Sequence, residues 1–295
     1  MVQPSGGLEG YAALVTGGGT GIGRACAARL AADGAAVTIV GRTESRLAGA
    51  VTAITDVADA TGHGGRAQYA VADVTDEATM EAAVARAVEP TGALDAVVAN
   101  AGGGGGMAPP HLQDVAEFRR VLELNVVGTL VTMKRTVPHL VASRRGSFVG
   151  MSSIAGSTTH LWFGGYVPAK AGIEALVRNA ADEYGPTGTR FNVIRPGFIA
   201  TEIMGFIPRD SAVYESYLAN TPMAPARETG VGEPEDVAAL ARFLVGEDSR
   251  WITGMVVNVD GGHHLRRGPD FSAFVEPRLG RDVMEARTPR DTDPA

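Results

Sequence analysis

Thr16-Gly17-Gly18-Gly19-Thr20-Gly21-Ile22-Gly23 joins the apolar run Tyr11 to Thr16 to an alanine-rich stretch from about Gly21 to Asp33. The run has the composition of a short buried strand, and the stretch after it that of a helix. A glycine loop in that context has a physical meaning that a bare pattern lacks. Glycine lets the backbone come close to a ligand, and the first N–H groups of the helix, with its dipole, favour negative charge there. A pyrophosphate fits such a loop, and Gly17, Gly19, Thr20, Gly21, Ile22 and Gly23 are its candidate contacts. The other reading is a strand-to-helix turn that is glycine-rich for structural reasons alone.

Working outward, the same alternation repeats. Strands read at Ala36 to Val40, Ala67 to Val71, Leu94 to Ala99, Ser147 to Met151, Arg190 to Ile194 and Met255 to Val259, spaced by helical patterns. Near-continuous apolar strands joined by long crossovers imply a parallel sheet covered on both faces, hence a doubly wound α/β fold of about seven strands. Three segments break the rhythm: Gly102 to Gly106, Glu202 to Gly230, and everything after Gly262. In the second, Phe206, Ile207, Tyr214 and Tyr217 are placed to form a lid over a site at the sheet's carboxyl edge, or else belong to a surface helical insertion. We therefore expect one catalytic domain over residues 1–262 and an extension over 263–295. Leu265, Phe271, Phe274, Val275 and Leu279 would dock the extension, on a partner subunit among other places.

Composition excludes several classes. With 45% hydrophobic and 20% charged residues the chain buries a sizeable core, and a net charge of −7 argues against general nucleic-acid binding. The single cysteine, Cys26, excludes an intrachain disulfide, and its helical setting reads as a small buried hydrophobe. The first ten residues lack a basic segment followed by an apolar run, and no apolar stretch approaches the roughly 20 residues of a membrane span. A soluble cytoplasmic protein is expected. His263-His264 has no further Cys or His spacing to complete a ligand set, so no metal is expected.

At the end of the second strand an acidic residue would accept bonds from the ribose of NAD and repel the phosphate of NADP. Here stands Gly41-Arg42-Thr43, and Arg42 offers a bidentate partner to a phosphate. NADP is favoured, with NAD as the alternative; the other reading of Arg42 is a solvated surface arginine with no ligand. Tyr166 and Lys170, four apart in Tyr-Val-Pro-Ala-Lys, share one face of a helix beginning near Gly165, where Pro168 is tolerated in the first turn. An ammonium close to a phenol, together with a positive nicotinamide ring, favours its anion, so Tyr166 is expected to exchange a proton. Ser153, just beyond the fifth strand, has a hydroxyl that can orient a substrate oxygen; neighbouring Ser152 would point differently.

In this order TGGGTGIG, Asp73-Val74, Asn100-Ala101-Gly102, Asn125, Ser153, Tyr166-x3-Lys170 and Pro196-Gly197 resemble the short-chain dehydrogenase/reductase family over about residues 10 to 262. The resemblance implies a Rossmann-type sheet and a catalytic tetrad of Asn125, Ser153, Tyr166 and Lys170, with Tyr166 as acid/base and Asn125 holding a relay water. It also implies that Lys170 binds the nicotinamide ribose and that Asp73 and Val74 flank the adenine. Asn100, Ala101 and Gly102 would support the central cofactor, while Pro196, Gly197, Ile199 and Thr201 would meet the nicotinamide. A homotetramer is implied as well. Two departures are Ala99 where an asparagine is frequent and Thr20 where many NADP-dependent members carry arginine, which leaves Arg42 as the 2′-phosphate contact.

His160, Leu161, Trp162 and Phe163 lie between Ser153 and Tyr166 and either approach the substrate or pack locally. The expected reaction is interconversion of a carbonyl and a secondary alcohol on a lipid-like or otherwise apolar small molecule. Enoyl-thioester reduction is the neighbouring possibility. A dinucleotide-binding redox sensor would have lost the tetrad, and a methyltransferase would need neither Tyr-x3-Lys nor Arg42.

Overall fold

Leu14 shows how the sheet is built: it pairs in register with Thr38 on one side and Val97 on the other, and its side chain enters one helical layer while Ala13 and Val15 enter the opposite one. That alternation is the two-residue period of an extended chain buried on both faces. The structure is a computed structural model and describes residues 7–287 apart from 267 and 269. Its seven strands are β1 (Ala12–Thr16), β2 (Ala36–Gly41), β3 (Arg66–Val71), β4 (Ala96–Ala99), β5 (Ser147–Met151), β6 (Arg190–Pro196) and β7 (Val256–Val259). All pair in parallel, in the order β3-β2-β1-β4-β5-β6-β7. This is the Rossmann-type doubly wound sheet expected from the sequence. β4 starts two residues later than its apolar run, although the Asp95 backbone still bonds Ala12 and Ser147; the Asp95 carboxylate accepts from the Ala12 N–H at 2.9 Å and from the Arg145 guanidinium at 2.8 Å.

The helices are α1 (Gly21–Ala32), α2 (Glu44–Thr61), α3 (Glu77–Val88), α4 (Val115–Leu122), α5 (Gly128–Ser143), α6 (Tyr166–Tyr184), α7 (Ala212–Asn220), α8 (Pro234–Val245), α9 (Ser272–Leu279) and α10 (Arg281–Met284). One face of the sheet packs on α1, α2 and α8 through Leu30, Ile54 and Leu244; the other packs on α3, α5 and α6 through Met80, Leu140 and Val177. Chain order reverses between β1 and β4, and the crevice this opens at the carboxyl ends is where open α/β sheets bind ligands.

Beyond that edge a third apolar cluster joins Phe198, Ile207, Val213, Tyr214, Tyr217 and Val231 to Phe271 of the extension. The segment read as a lid is thus mostly packed: Ile207, Tyr214 and Tyr217 are buried, and only Phe206 is half exposed. In the extension Phe271 and Val275 are buried against this chain, while Leu265 is exposed; residues 288–295 lie outside the described part. Among the described residues no helix is long and apolar enough to cross a membrane.

Candidate active site

A cavity of about 650 Å³ runs along the carboxyl edge, from α1 and α2 to the third cluster. One end is lined by Gly17, Gly19, Thr20, Gly21 and Ile22 of the glycine loop, with Arg42, Asp73 and Val74. Asn100, Ala101 and Gly102 line its middle, followed by Pro196, Gly197, Ile199 and Thr201, and finally Ser153, Tyr166 and Lys170. Two of the residues singled out in the sequence stand one layer behind. A Cβ on Gly23 would meet Gly17 O at 2.3 Å, so Gly23 is where helix and loop touch. Asn125 is fully buried in a π-helical turn, Glu123–Val127. Its amide nitrogen donates to Gly103 O at 2.9 Å and Val121 O at 2.8 Å. Its side chain braces the glycine run, and a Cβ on Gly102 would lie 2.6 Å from Asn125 Oδ1 and 3.2 Å from Lys170 Nζ.

The loop end fits an anion on its own geometry. Asp76 and Asp114 cap α3 and α4, and Glu233 with Asp236 forms a capping box on α8. α1 has neither a side-chain cap from Thr20 nor an acidic residue in its first turn. An uncapped N-terminus facing a cavity presents N–H groups and a positive dipole end to a ligand. Gly17 and Gly21 hold φ of 66° and 50° there. Asn100 fixes the loop: Thr16 Oγ1 accepts from Asn100 N and Ala101 N, each at 3.0 Å, and Asn100 Nδ2 donates to Thr16 O at 3.1 Å. Past β2, the largely exposed Arg42 lies 3.9 Å from Asp73. Arg46, in the first turn of α2, lines the same end beside it. Arg46 carries the same guanidinium four positions after Arg42, a signal already present in the sequence.

The chemistry sits at the other end. Gly165 precedes α6, which puts Tyr166 at its first position and Lys170 one turn on. Lys170 is buried, donates to Met151 O at 3.0 Å, and stands 5.4 Å from the Tyr166 ring centre. Burial pulls its ammonium down to about 8. Burial also raises the Tyr166 phenol, and a hydrogen bond with Ser153 only partly offsets this. Burial is thus the largest influence that the protein itself has on the phenol, and the positive nicotinamide ring that the sequence reading counted beside Lys170 comes only with the cofactor. The two serines separate as anticipated: Ser152 Oγ donates to Glu174 Oε1 at 2.7 Å and lies 3.1 Å from Lys170 O, whereas Ser153 is the one bonded to Tyr166. Glu174 in turn pairs with Arg195.

His160 lines the cavity and is almost wholly buried, which lowers its imidazole to about 4. Its Nδ1 meets Thr158 O at 2.8 Å, so Nδ1 carries the proton and the neutral ring offers Nε2 as an acceptor. Met107, Phe163, Met204, Phe206 and Tyr217 complete this apolar end. Cys26 is buried in α1 and its thiol is pushed up to about 12, far from reactive.

A doubly wound sheet with an open helix N-terminus, and a tyrosine, lysine and serine gathered in the same crevice, defines a dinucleotide-linked oxidoreductase. The sequence profile described as Enoyl-(Acyl carrier protein) reductase matches residues 17–264. A cis-4-hydroxycyclohexanecarboxylate dehydrogenase of Sinomonas cyclohexanicum is 37% identical, covering 85% of this chain and 95% of its own. Levodione reductase of Leifsonia aquatica is 34% identical, covering 84% and 92%. Among solved structures, a short-chain type dehydrogenase/reductase from Mycobacterium ulcerans superposes with a TM-score of 0.90 at 42% identity, covering 96% of this chain and all of its own. The chain belongs to the short-chain dehydrogenase/reductase family and is an enzyme acting on CH–OH and C=O groups with a nicotinamide dinucleotide.

Proposed function

We propose that the protein is an NADP(H)-dependent reductase and dehydrogenase that interconverts a carbonyl and a secondary alcohol on a largely apolar small molecule. The observation that carries this reading is the convergence of Ser153, Tyr166 and Lys170 in a cavity whose far end holds the uncapped α1 N-terminus, Arg42 and Arg46. When bound, the dinucleotide supplies or takes up the hydride. Tyr166 exchanges the proton of the substrate oxygen, Ser153 orients that oxygen, and Lys170 holds the ribose side of the site. Asn125 supports both by holding the Gly102 and Gly103 backbone against Lys170. Arg42 and Arg46 favour a 2′-phosphate over a bare ribose, since a charged acceptor strengthens each guanidinium bond. Met107, Met204 and Phe206 are the basis for an apolar substrate. We further propose a cytoplasmic homotetramer, on family likeness; a monomer mass in light scattering would overturn the assembly.

The name of the matching profile favours a second reading, enoyl-thioester reduction. The Ser153 hydroxyl bonded to the Tyr166 phenol supports carbonyl chemistry instead, because the two are close enough to share one substrate oxygen. The test is oxidation of NADPH or NADH by cyclohexanone, 2-decanone and a crotonyl thioester, with the reverse reaction on the alcohols. Turnover of ketones that is lost in Tyr166→Phe is expected. Turnover of the thioester alone would establish the second reading, and tight dinucleotide binding without any turnover would make the protein a sensor.

A further inference from the structure

We propose that the C-terminal extension is part of the active site of its own chain: Phe271 is a positioning residue that holds the aromatic wall against which Tyr166 stands. The proposal rests on the acid/base reading of Tyr166. Phe271 is fully buried and stacks on Phe163 with ring centres 4.7 Å apart; Phe163 meets the Tyr166 ring edge-on at 5.1 Å. Phe271 also meets the edge of Tyr217 at 6.3 Å. Phe163 and Tyr217 line the cavity, and Phe271 is directly behind both.

A second observation is independent of the stack. Trp162 is held at φ 69°, a left-handed backbone that a bulky side chain rarely adopts and that needs its surroundings to hold it. Its indole Nε1 donates to Ser272 Oγ at 2.9 Å, so the extension grips the strained residue beside Phe163. His111 Nε2 lies 2.8 Å from Val283 O, fastening the far end of the extension to the loop before α4. The chain entering α6 is thus clamped from outside the sheet, four residues before the catalytic tyrosine.

The wall also keeps water from Tyr166, and burial is what raises that phenol. The titratable groups around it are Lys170 on its own helix, Tyr217 on α7, and His160 on the preceding loop with His263 next to it. Removing the Phe271 ring admits water without altering any of these charges, so the phenol's titration moves down.

The experiment uses the full chain and the variants Phe271→Ala, Phe271→Leu and Tyr166→Phe, read by cyclohexanol oxidation over pH and by dinucleotide binding. In Phe271→Ala the KM for cyclohexanol is expected to rise about tenfold and the pH midpoint of kcat to fall by roughly half a unit or more. Dinucleotide affinity stays within about twofold, since that end of the cavity is remote from the stack. Phe271→Leu keeps apolar bulk but loses the stacking ring, so it shows the same two changes at smaller size. An unchanged KM and midpoint in Phe271→Ala would overturn the proposal. If that variant loses dinucleotide binding, Phe271→Leu decides: an unshifted midpoint there overturns it equally. Turnover that survives Tyr166→Phe would instead overturn the acid/base reading, whatever the Phe271 variants do.

Discussion

Adding one methyl group at Gly23 tests how the glycine loop works. The new Cβ would stand 2.3 Å from Gly17 O, 2.8 Å from Gly17 C and 2.5 Å from Asn100 Nδ2. An ordinary carbon-to-oxygen contact is about 3.3 Å, so the loop must retreat by about 1 Å. Two of the three obstructing atoms are backbone, and the third is bonded to Thr16 O, so no side chain can swing aside. Overpacking of this kind costs about 1–3 kcal/mol, which for a chain of this size is a fall of roughly 2–10 °C in Tm. Binding suffers more, because a displacement of about 1 Å in a positioned group costs up to about 100-fold. Gly23→Ala should therefore raise the dinucleotide Kd by about 10- to 100-fold in a fluorescence titration. Gly49→Ala is the matched control: it lies in the exposed middle of α2 with nothing within 4 Å of its Cβ, so it should leave Kd unchanged and stabilise slightly. A Gly23→Ala protein with a Kd within twofold of the parent would refute the argument that this contact sets the loop.

Arg42→Ala should raise the KM for NADPH by about tenfold and leave that for NADH within about twofold, since its side chain is 71% exposed and belongs at the weak end of charge-assisted bonds; equal effects on both would remove Arg42 from coenzyme choice. His160, lowered to about 4 against an unfolded value near 6.5, binds its proton first in the unfolded chain, so stability falls as pH drops from about 6.5 through 4. His160→Gln should flatten that window in melts taken across it, and a parallel slope would exclude His160 as the source. Arg195→Met leaves the buried Glu174 carboxylate with Ser152 alone and should cost about 3 kcal/mol in urea unfolding, whereas a neutral result would show the pair to be dispensable. Because the Tyr166 phenol is raised, ketone reduction should run at neutral pH while alcohol oxidation climbs towards alkaline pH; an oxidation rate flat from pH 6 to 10 would contradict this.

The sheet was legible because parallel strands buried on both faces are written as unbroken apolar runs, and Ser147–Met151 came out with the boundaries read from the sequence. Leu94 and Asp95 read as strand because both are buried and the Asp95 backbone bonds Ala12 and Ser147 as a strand's would, although β4 itself begins at Ala96. Spacing placed Tyr166, Lys170 and Ser153 in one crevice, but it could not tell lining from backing. Gly23 and Asn125 belong to motifs whose other members face the cavity, and only packing shows that these two look the other way. Arg46 was missed for the opposite reason: it belongs to no motif, and only the start of α2 at Glu44 brings it to the same end of the cavity as Arg42. The lid was the weakest reading. Phe206, Ile207, Tyr214 and Tyr217 form an apolar set in sequence, but whether such a set moves or packs depends on a partner surface, and Phe271, far along the chain, supplies it.

Tyr166 shows where local reasoning about charge gives way to burial. A lysine one turn away on the same helix face is enough, in water, to favour a phenolate. Here the lysine is itself buried, spends a hydrogen bond on Met151 O, and has its own ammonium pulled down to about 8, so the environment that weakens the phenolate weakens its supporting cation too. What remains on the phenol's side is Ser153, whose hydrogen bond lowers it by less than burial raises it. Burial therefore adds to the hold that a phenol already has on its proton near neutrality. A protonated hydroxyl is the form that reduction would consume, so excluding water from this end of the cavity extends towards alkaline pH the range over which Tyr166 can serve ketone reduction.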